Sequence, residues 1–264
     1  APTSIFRFKP AEQGGWLTAS PRRFKALPPF EAGDLLGVIP PHGQAPRFYS
    51  LASSASDGIV EICVRKQPGG LCSGYLHDLK PGACIDGFIR PNPGFRPATG
   101  SQPVILIGAG AGIGPLTGFI RKNTRRNPMY LYWGGRDSSS DFLYQPELGR
   151  YLDDHRLSAL NTAFSRADER TYVQDKLKQD ELAVRQMVNT GAQILVCGGR
   201  DMAAAVRQAG YRVLPLPGAS SITTALSAAG AVAHSAEQSG FVFAGFLPVK
   251  QAERAAAVQV LTAE

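Results

Sequence analysis

The run Gly108-Ala109-Gly110-Ala111-Gly112-Ile113-Gly114-Pro115 constrains the fold of this chain more than any other stretch. It follows the apolar segment Val104-Ile105-Leu106-Ile107 and precedes helix-like sequence reaching Asn123. A short buried strand that turns through glycines into a helix belongs to a parallel α/β sheet, whose ligands sit at the carboxyl ends of the strands. Glycines let the backbone approach a pyrophosphate, and Pro115 suits a first helical turn. The run departs from G-x-G-x-x-G because Ile113 holds the last position. It is not a P-loop either, since no Gly-Lys-Ser/Thr follows. About 20 residues on, where an acid would bind a ribose 2′-OH, stands Trp133-Gly134-Gly135-Arg136. The bland alternative is a tight strand–helix turn.

The strand role recurs at residues 129–133, 158–164 and 193–197, with helical stretches between, so residues 98–209 are predicted to form a parallel-sheet α/β domain. Residues 5–90 have a different grammar. Short alternating stretches at 35–39, 48–51, 59–64 and 83–89 are broken by Gly and Pro, which predicts a small antiparallel β-barrel over 1–97. A helix over 73–79 is expected within it, with Ser73 as N-cap and Pro81-Gly82 as terminator. The breaker-rich Pro91-Asn92-Pro93-Gly94-Phe95-Arg96-Pro97 marks the boundary between the two. Residues 210–264 change character again and predict an added βαβα-like tail. A chain of 264 residues fits more than one compact unit.

Charge and composition exclude several classes. The net charge of +7 favours an anionic ligand, but Lys and Arg are scattered without interleaved aromatics, so no nucleic-acid partner is expected. No apolar run approaches the roughly 20 residues of a transmembrane segment. Cys63, Cys72, Cys84 and Cys197 lie far apart without a CxxC pattern, and the His residues are isolated. No metal site or disulfide framework is therefore expected. A reducing cytoplasm is the natural setting. The start, Ala1-Pro2-Thr3-Ser4, has neither Met nor a signal-peptide core, as in a piece excised from something longer.

Four further constellations carry chemistry. In Arg47-Phe48-Tyr49-Ser50, the guanidinium suits a pyrophosphate, the tyrosine ring suits stacking on a flavin, and the hydroxyl of Ser50 suits the flavin N5 edge. Leu71-Cys72-Ser73 stands where a helix begins, and its free N–H groups attract phosphate; a simple turn is the alternative. Ser165, Arg166, Arg170, Tyr172 and Gln174 gather guanidiniums and hydroxyls in one loop, which fits the 2′-phosphate of NADP, or else a solvated charged loop. Cys197-Gly198-Gly199 ends a buried strand, where a thiol could lie beside a nicotinamide or simply pack.

In order, the stretches RFYSLAS, EICVRK, GGLCSGYL, GAGAGIGPLTGFI, GGRDSSSDFLYQPEL, FSRADERTYVQDKL and VCGGRDMA resemble the ferredoxin–NADP reductase superfamily over residues 5–208. The likeness is to the FAD/NADP modules of the sulfite reductase flavoprotein and cytochrome P450 reductase type. It implies an FAD-binding barrel over 1–97 and an NADP-binding domain over 98–209. Transferred residue by residue, it places Arg47, Phe48, Tyr49, Ser50, Cys63, Val64, Arg65, Leu71, Cys72 and Ser73 at FAD. Gly110, Ala111, Gly112, Pro115, Gly135, Arg136, Gly198 and Gly199 would surround NADP(H), and Ser165, Arg166, Arg170, Tyr172 and Gln174 its adenosine end. Ser50 and Cys197 would be catalytic, flanking the hydride path from nicotinamide to flavin.

Three departures stand out. Ala111 replaces a usual Thr, the 165–172 loop is one residue shorter than in the cytochrome P450 reductase type, and the usual terminal aromatic is missing. The tail from 210 instead resembles about 50 residues of tetrapyrrole-methylase-like rRNA ribose methyltransferases, as in a fusion, natural or made. The resemblance implies an NADPH-dependent FAD oxidoreductase that passes single electrons to an acceptor. That acceptor could be a protein or a small molecule, a heme or membrane component included, with the parent protein then tethered at the inner face of a membrane. The alternatives are a catalytically impaired flavin- or nucleotide-binding module and a SAM-dependent rRNA methyltransferase fragment.

Overall fold

A computed structural model of the chain describes residues 2–9, 28–41 and 45–198, all within one compact unit. The expected tail and Gly199 lie outside the described residues.

The first half is antiparallel. Strand β1 (Thr3–Phe8) pairs with β4 (Val60–Arg65), and β2 (Leu35–Ile39) lies between β3 (Arg47–Ser50) and β5 (Asp86–Arg90). Among the described residues these are two hydrogen-bonded sheets, tied by a single bridge between Leu51 and Ile62. Period-two alternation sends Leu36, Val38, Val60, Ile62 and Val64 inward. Helix α1 (Leu71–Asp78) closes this core with Cys72 and Leu76. It begins two residues before the expected Ser73, with Gly70 as N-cap. The hydroxyl of Ser73 is engaged inside the turn, accepting from the Gln67 N–H at 3.1 Å and donating to the Gly70 carbonyl at 3.3 Å. The first helical bond runs from the Gly74 N–H to Gly70.

The breaker-rich stretch 91–97 is a pinned strut. Buried Asp34 accepts the Asn92 N–H at 2.6 Å and the Glu31 N–H at 2.8 Å, and pairs with Arg96. Phe95 inserts edge-on against Phe119 with ring centroids 5.2 Å apart.

The second half is a four-stranded parallel sheet in the order β8-β7-β6-β9. Its strands are β6 (Val104–Ala109), β7 (Met129–Gly135), β8 (Ala159–Phe164) and β9 (Gln193–Cys197). Both faces are covered, which is why the strands read as continuous apolar runs. Helices α2 (Ile113–Lys122) and α3 (Gln145–Asp153) cover Val104, Leu106, Leu131 and Trp133; α4 (Val173–Gln179) and α5 (Glu181–Asn189) cover Ile105, Ile107 and Tyr132. Strands β6 and β7 each extend two residues beyond their apolar runs, because the glycines that follow continue the ladder. The chain reverses its direction of travel across the sheet between β8 and β9, so the switch point falls at the carboxyl end of β6.

Helix α2 also packs on the antiparallel half. A Cβ on Gly114 would come within 2.9 Å of the Cys63 Cβ, and one on Gly118 within 2.5 Å of the Ala52 carbonyl oxygen. One apolar core, containing Ala32, Cys63 and Phe95 as well as Leu106 and Leu116, therefore crosses the strut.

Candidate functional site

A cleft of about 240 Å³ opens at the carboxyl ends of β6, β7 and β8. Gly110, Gly135, Arg136, Ser165, Tyr172 and Gln174 line it, all of them residues the sequence assigns to the nucleotide. Arg166 and Arg170 are exposed and lie outside this lining, although the Arg166 N–H donates to the Arg136 carbonyl at 2.8 Å. The antiparallel half also contributes to the lining: Thr3 and Arg65, cross-strand partners on β1 and β4. Strand alternation explains the fate of the expected flavin trio Cys63, Val64 and Arg65. Val64 faces the antiparallel core, Cys63 faces α2, and Arg65 reaches the cleft.

The glycine loop is held from beneath. The indole N–H of buried Trp133 donates to the Gly110 carbonyl at 3.0 Å, and its ring stacks on Phe142 with centroids 5.2 Å apart. Gly110 adopts a φ of 54°, a left-handed conformation natural to glycine, and the space beside its Cα is open. Gly112 lies directly against the Cys197 carbonyl, where a Cβ would collide. Ala111 packs against the core, and Pro115 is buried in the first turn of α2. Burial pushes the Cys197 thiol up to about 12, so it stays protonated at neutral pH. Gly198 is exposed just beyond β9.

A second cluster forms at β3. Arg47 and Tyr49 share one strand face, and the Tyr49 hydroxyl neighbours the Cys72 thiol at the start of α1. Burial, and then the neighbouring Cys72 thiol, push the Tyr49 hydroxyl above its ordinary range, with Arg47 opposing. The Arg47 guanidinium is exposed and, among the described residues, bonds to the neighbouring Ala45 and Pro46 carbonyls at 3.0 and 3.5 Å. Phe48 lies on the other face, beneath Arg90 and edge-on to Phe88. Ser50 is half-buried at the strand end opposite Leu35, and Leu71 is exposed beside Cys72. The structure thus brings Arg47, Tyr49 and the α1 start together, as a stacking ring and a cation beside free helix N–H groups.

Comparison with known proteins separates these two clusters. Residues 106–208 match the oxidoreductase NAD-binding domain family. Longer matches include the sulfite reductase [NADPH] flavoprotein alpha-component of Vibrio vulnificus, 37% identical over 196 residues. That match covers 67% of this chain and 31% of the relative. The same-named protein of Cronobacter sakazakii is 36% identical over 204 residues, covering 70% of this chain and 33% of the relative. NADPH oxidoreductase A of Dictyostelium discoideum is 35% identical over 180 residues, covering 62% of this chain and 28% of the relative. The chain thus spans about a third of the length of the relatives it matches. These matches support the ferredoxin–NADP reductase superfamily.

The NAD-binding match contains every cleft residue except Thr3 and Arg65, which the antiparallel half supplies. Sequence reasoning missed the polar network that joins the halves. Glu61, 1% exposed, pairs with Arg7 at 2.6 Å and Arg121 at 3.2 Å, and accepts the Tyr144 hydroxyl at 3.1 Å. Arg121 also donates to Glu147 at 2.8 Å and to the Ala52 carbonyl at 2.9 Å. Burial works against the Arg121 charge, but Glu147 and Glu61 more than offset it and hold the guanidinium protonated. No local spacing reveals partners 60 residues apart; the only hint is an acid inside an otherwise apolar strand. Trp133 was visible as the residue standing in place of the ribose acid, but not as the support of Gly110.

Proposed function

We propose that the chain is the reductase module of an NADPH-dependent flavoprotein oxidoreductase. The observation that carries this is the cleft at the switch point: a glycine turn, two arginines, and the Ser165, Tyr172 and Gln174 side chains converge on one anion-sized opening. On this reading the two antiparallel sheets are parts of an FAD-binding barrel spanning 1–97, and 98–209 bind NADP(H).

Arg47 would hold the FAD pyrophosphate together with the N–H groups at Leu71, Cys72 and Ser73, and Tyr49 would cover the ring. Gly110 admits the NADPH pyrophosphate, with Arg65 also lining the cleft. Arg136, Ser165, Tyr172 and Gln174 take the 2′-phosphate end, and Arg166 and Arg170 stand at its rim. When bound, the two cofactors supply two-electron transfer from the nicotinamide to the flavin and its onward delivery one electron at a time. The protein's own part is positioning: Trp133 fixes the loop, α2 braces the two halves, and Ser50 and neutral Cys197 border the path between the rings. The acceptor is a protein or small molecule outside the chain, a heme group included. None of the described helices is long and apolar enough to cross a membrane, and we place the module in the cytoplasm. The tail from 210 is read as a methyltransferase-like fragment without methyl-transfer activity; the NAD-binding match ends at 208, where the reductase-like sequence also stops.

The test is an anaerobic absorbance titration of full-length protein that has been loaded with FAD and desalted. A retained flavin band that NADPH bleaches far better than NADH is the expected result. Loss of flavin on desalting, or a band that neither nucleotide bleaches, overturns the reading.

A further inference from the structure

We propose that Asp141 is a positioning residue for 2′-phosphate recognition, acting through one peptide group of the cleft wall. The inference rests on the NADPH reading above. The peptide joining Gly135 to Arg136 is held from both sides. Its carbonyl accepts the Ser165 N–H at 3.1 Å, and its N–H donates to the Asp141 carboxylate at 2.9 Å. The next carbonyl, that of Arg136, accepts the Arg166 N–H at 2.8 Å. Three side chains of the phosphate end, Arg136, Ser165 and Arg166, therefore leave from backbone whose orientation depends on a single peptide plane.

Asp141 is placed to lock that plane. Its own N–H returns to the Asp137 carbonyl at 3.0 Å, closing the turn, and a Cβ on Gly135 would lie 3.3 Å from the Asp141 Cβ. The other acid of the turn is engaged elsewhere: the Asp137 carboxylate accepts the Ser139 N–H at 2.8 Å and its hydroxyl at 2.5 Å. A carboxylate lining a cleft built for phosphate repels the ligand. Its presence there makes sense if its charge-assisted bond to the Arg136 N–H does more for the site than its repulsion costs. Asp141 would then favour the phosphorylated nucleotide without touching it.

The experiment is calorimetric titration of FAD-loaded, full-length protein with NADP+ and separately with NAD+. For Asp141→Ala, NADP+ affinity should fall by about 10- to 100-fold, the range for loss of a charged hydrogen bond, with NAD+ nearly unchanged. Asp141→Asn keeps an acceptor oxygen but loses the charge assistance, so its NADP+ affinity should fall between those of wild type and the alanine variant. An unchanged alanine variant, or equal loss for both nucleotides, overturns the proposal; equal loss would mean a general scaffold role. Should the alanine variant not fold, Asp141→Glu takes its place, because its longer side chain overshoots the amide. The same selective loss of NADP+ affinity is then expected, and an unchanged or equal response again overturns the proposal. Wild-type protein that binds NADP+ and NAD+ equally sinks the NADPH reading itself, and this inference with it. A selective wild type with unaltered variants sinks the role of Asp141 alone.

Discussion

Arg121 sends one guanidinium to Glu61, Glu147 and the Ala52 carbonyl, and its removal would leave buried Glu61 with the half-exposed Arg7 as its only counter-charge among the described residues. Breaking a buried pair from one side is costly, so Arg121→Ala should lose about 2–4 kcal/mol in urea denaturation. The thiols give a second expectation. Burial, then the charge of Glu61, then Cys197, raises Cys63 from 9.0 to about 12, and burial alone does the same for Cys197. Their folded values exceed the unfolded one, so the folded state holds protons that the unfolded chain releases. Stability is intact below pH 9 and falls as pH rises toward about 12. Cys63→Ala should flatten that fall, and iodoacetamide at pH 8 should modify exposed Cys84 while sparing Cys63 and Cys197. At this scale the sequence can propose residues whose chemistry is local, such as Arg47, Tyr49 and Ser165. Glu61 stayed hidden because its meaning comes from Arg7 and Arg121, which only the fold brings near.

Among the elements, α2 does two jobs, carrying the glycine turn at one end and bracing the antiparallel half with its side. Gly118→Ala would normally favour a helix, but the new methyl would meet the Ala52 carbonyl oxygen at 2.5 Å and the Ala32 Cβ at 2.6 Å. It should lower stability by about 1–3 kcal/mol. Gly149→Ala, in α3 with nothing within 4 Å, should raise it by about 0.5–1 kcal/mol. Thermal melts of the two variants, moving in opposite directions, check both. The parallel strands were legible because double burial leaves uninterrupted apolar runs. The start of α1 was misplaced because a serine near a helix start looks like a cap whether its hydroxyl faces the helix or the turn before it. The packing side of α2 was unreadable, since glycine spacing does not say what comes close.

At the scale of the whole molecule, strand order decides where the cleft opens. The ladder runs outward from β6 to β7 and β8, then returns to place β9 on the other side, and the loop after β6 is left at the fork. Alternation of strand and helix forecast a parallel sheet; the order of its strands depended on contacts no stretch of sequence records. The breaker-rich 91–97 segment shows the same limit from the other side. Its composition marks a change of architecture, yet Asp34, Arg96 and Phe95 make it a fixed join with core on both flanks. A single break of the backbone near residue 100 would therefore not release two independent pieces. Limited proteolysis there should give two bands on a denaturing gel and one species by size exclusion, because Cys63 and Phe95 would still be seated against α2. What holds the finished molecule together at this point is packing across the strut, so it should endure the loss of chain continuity there.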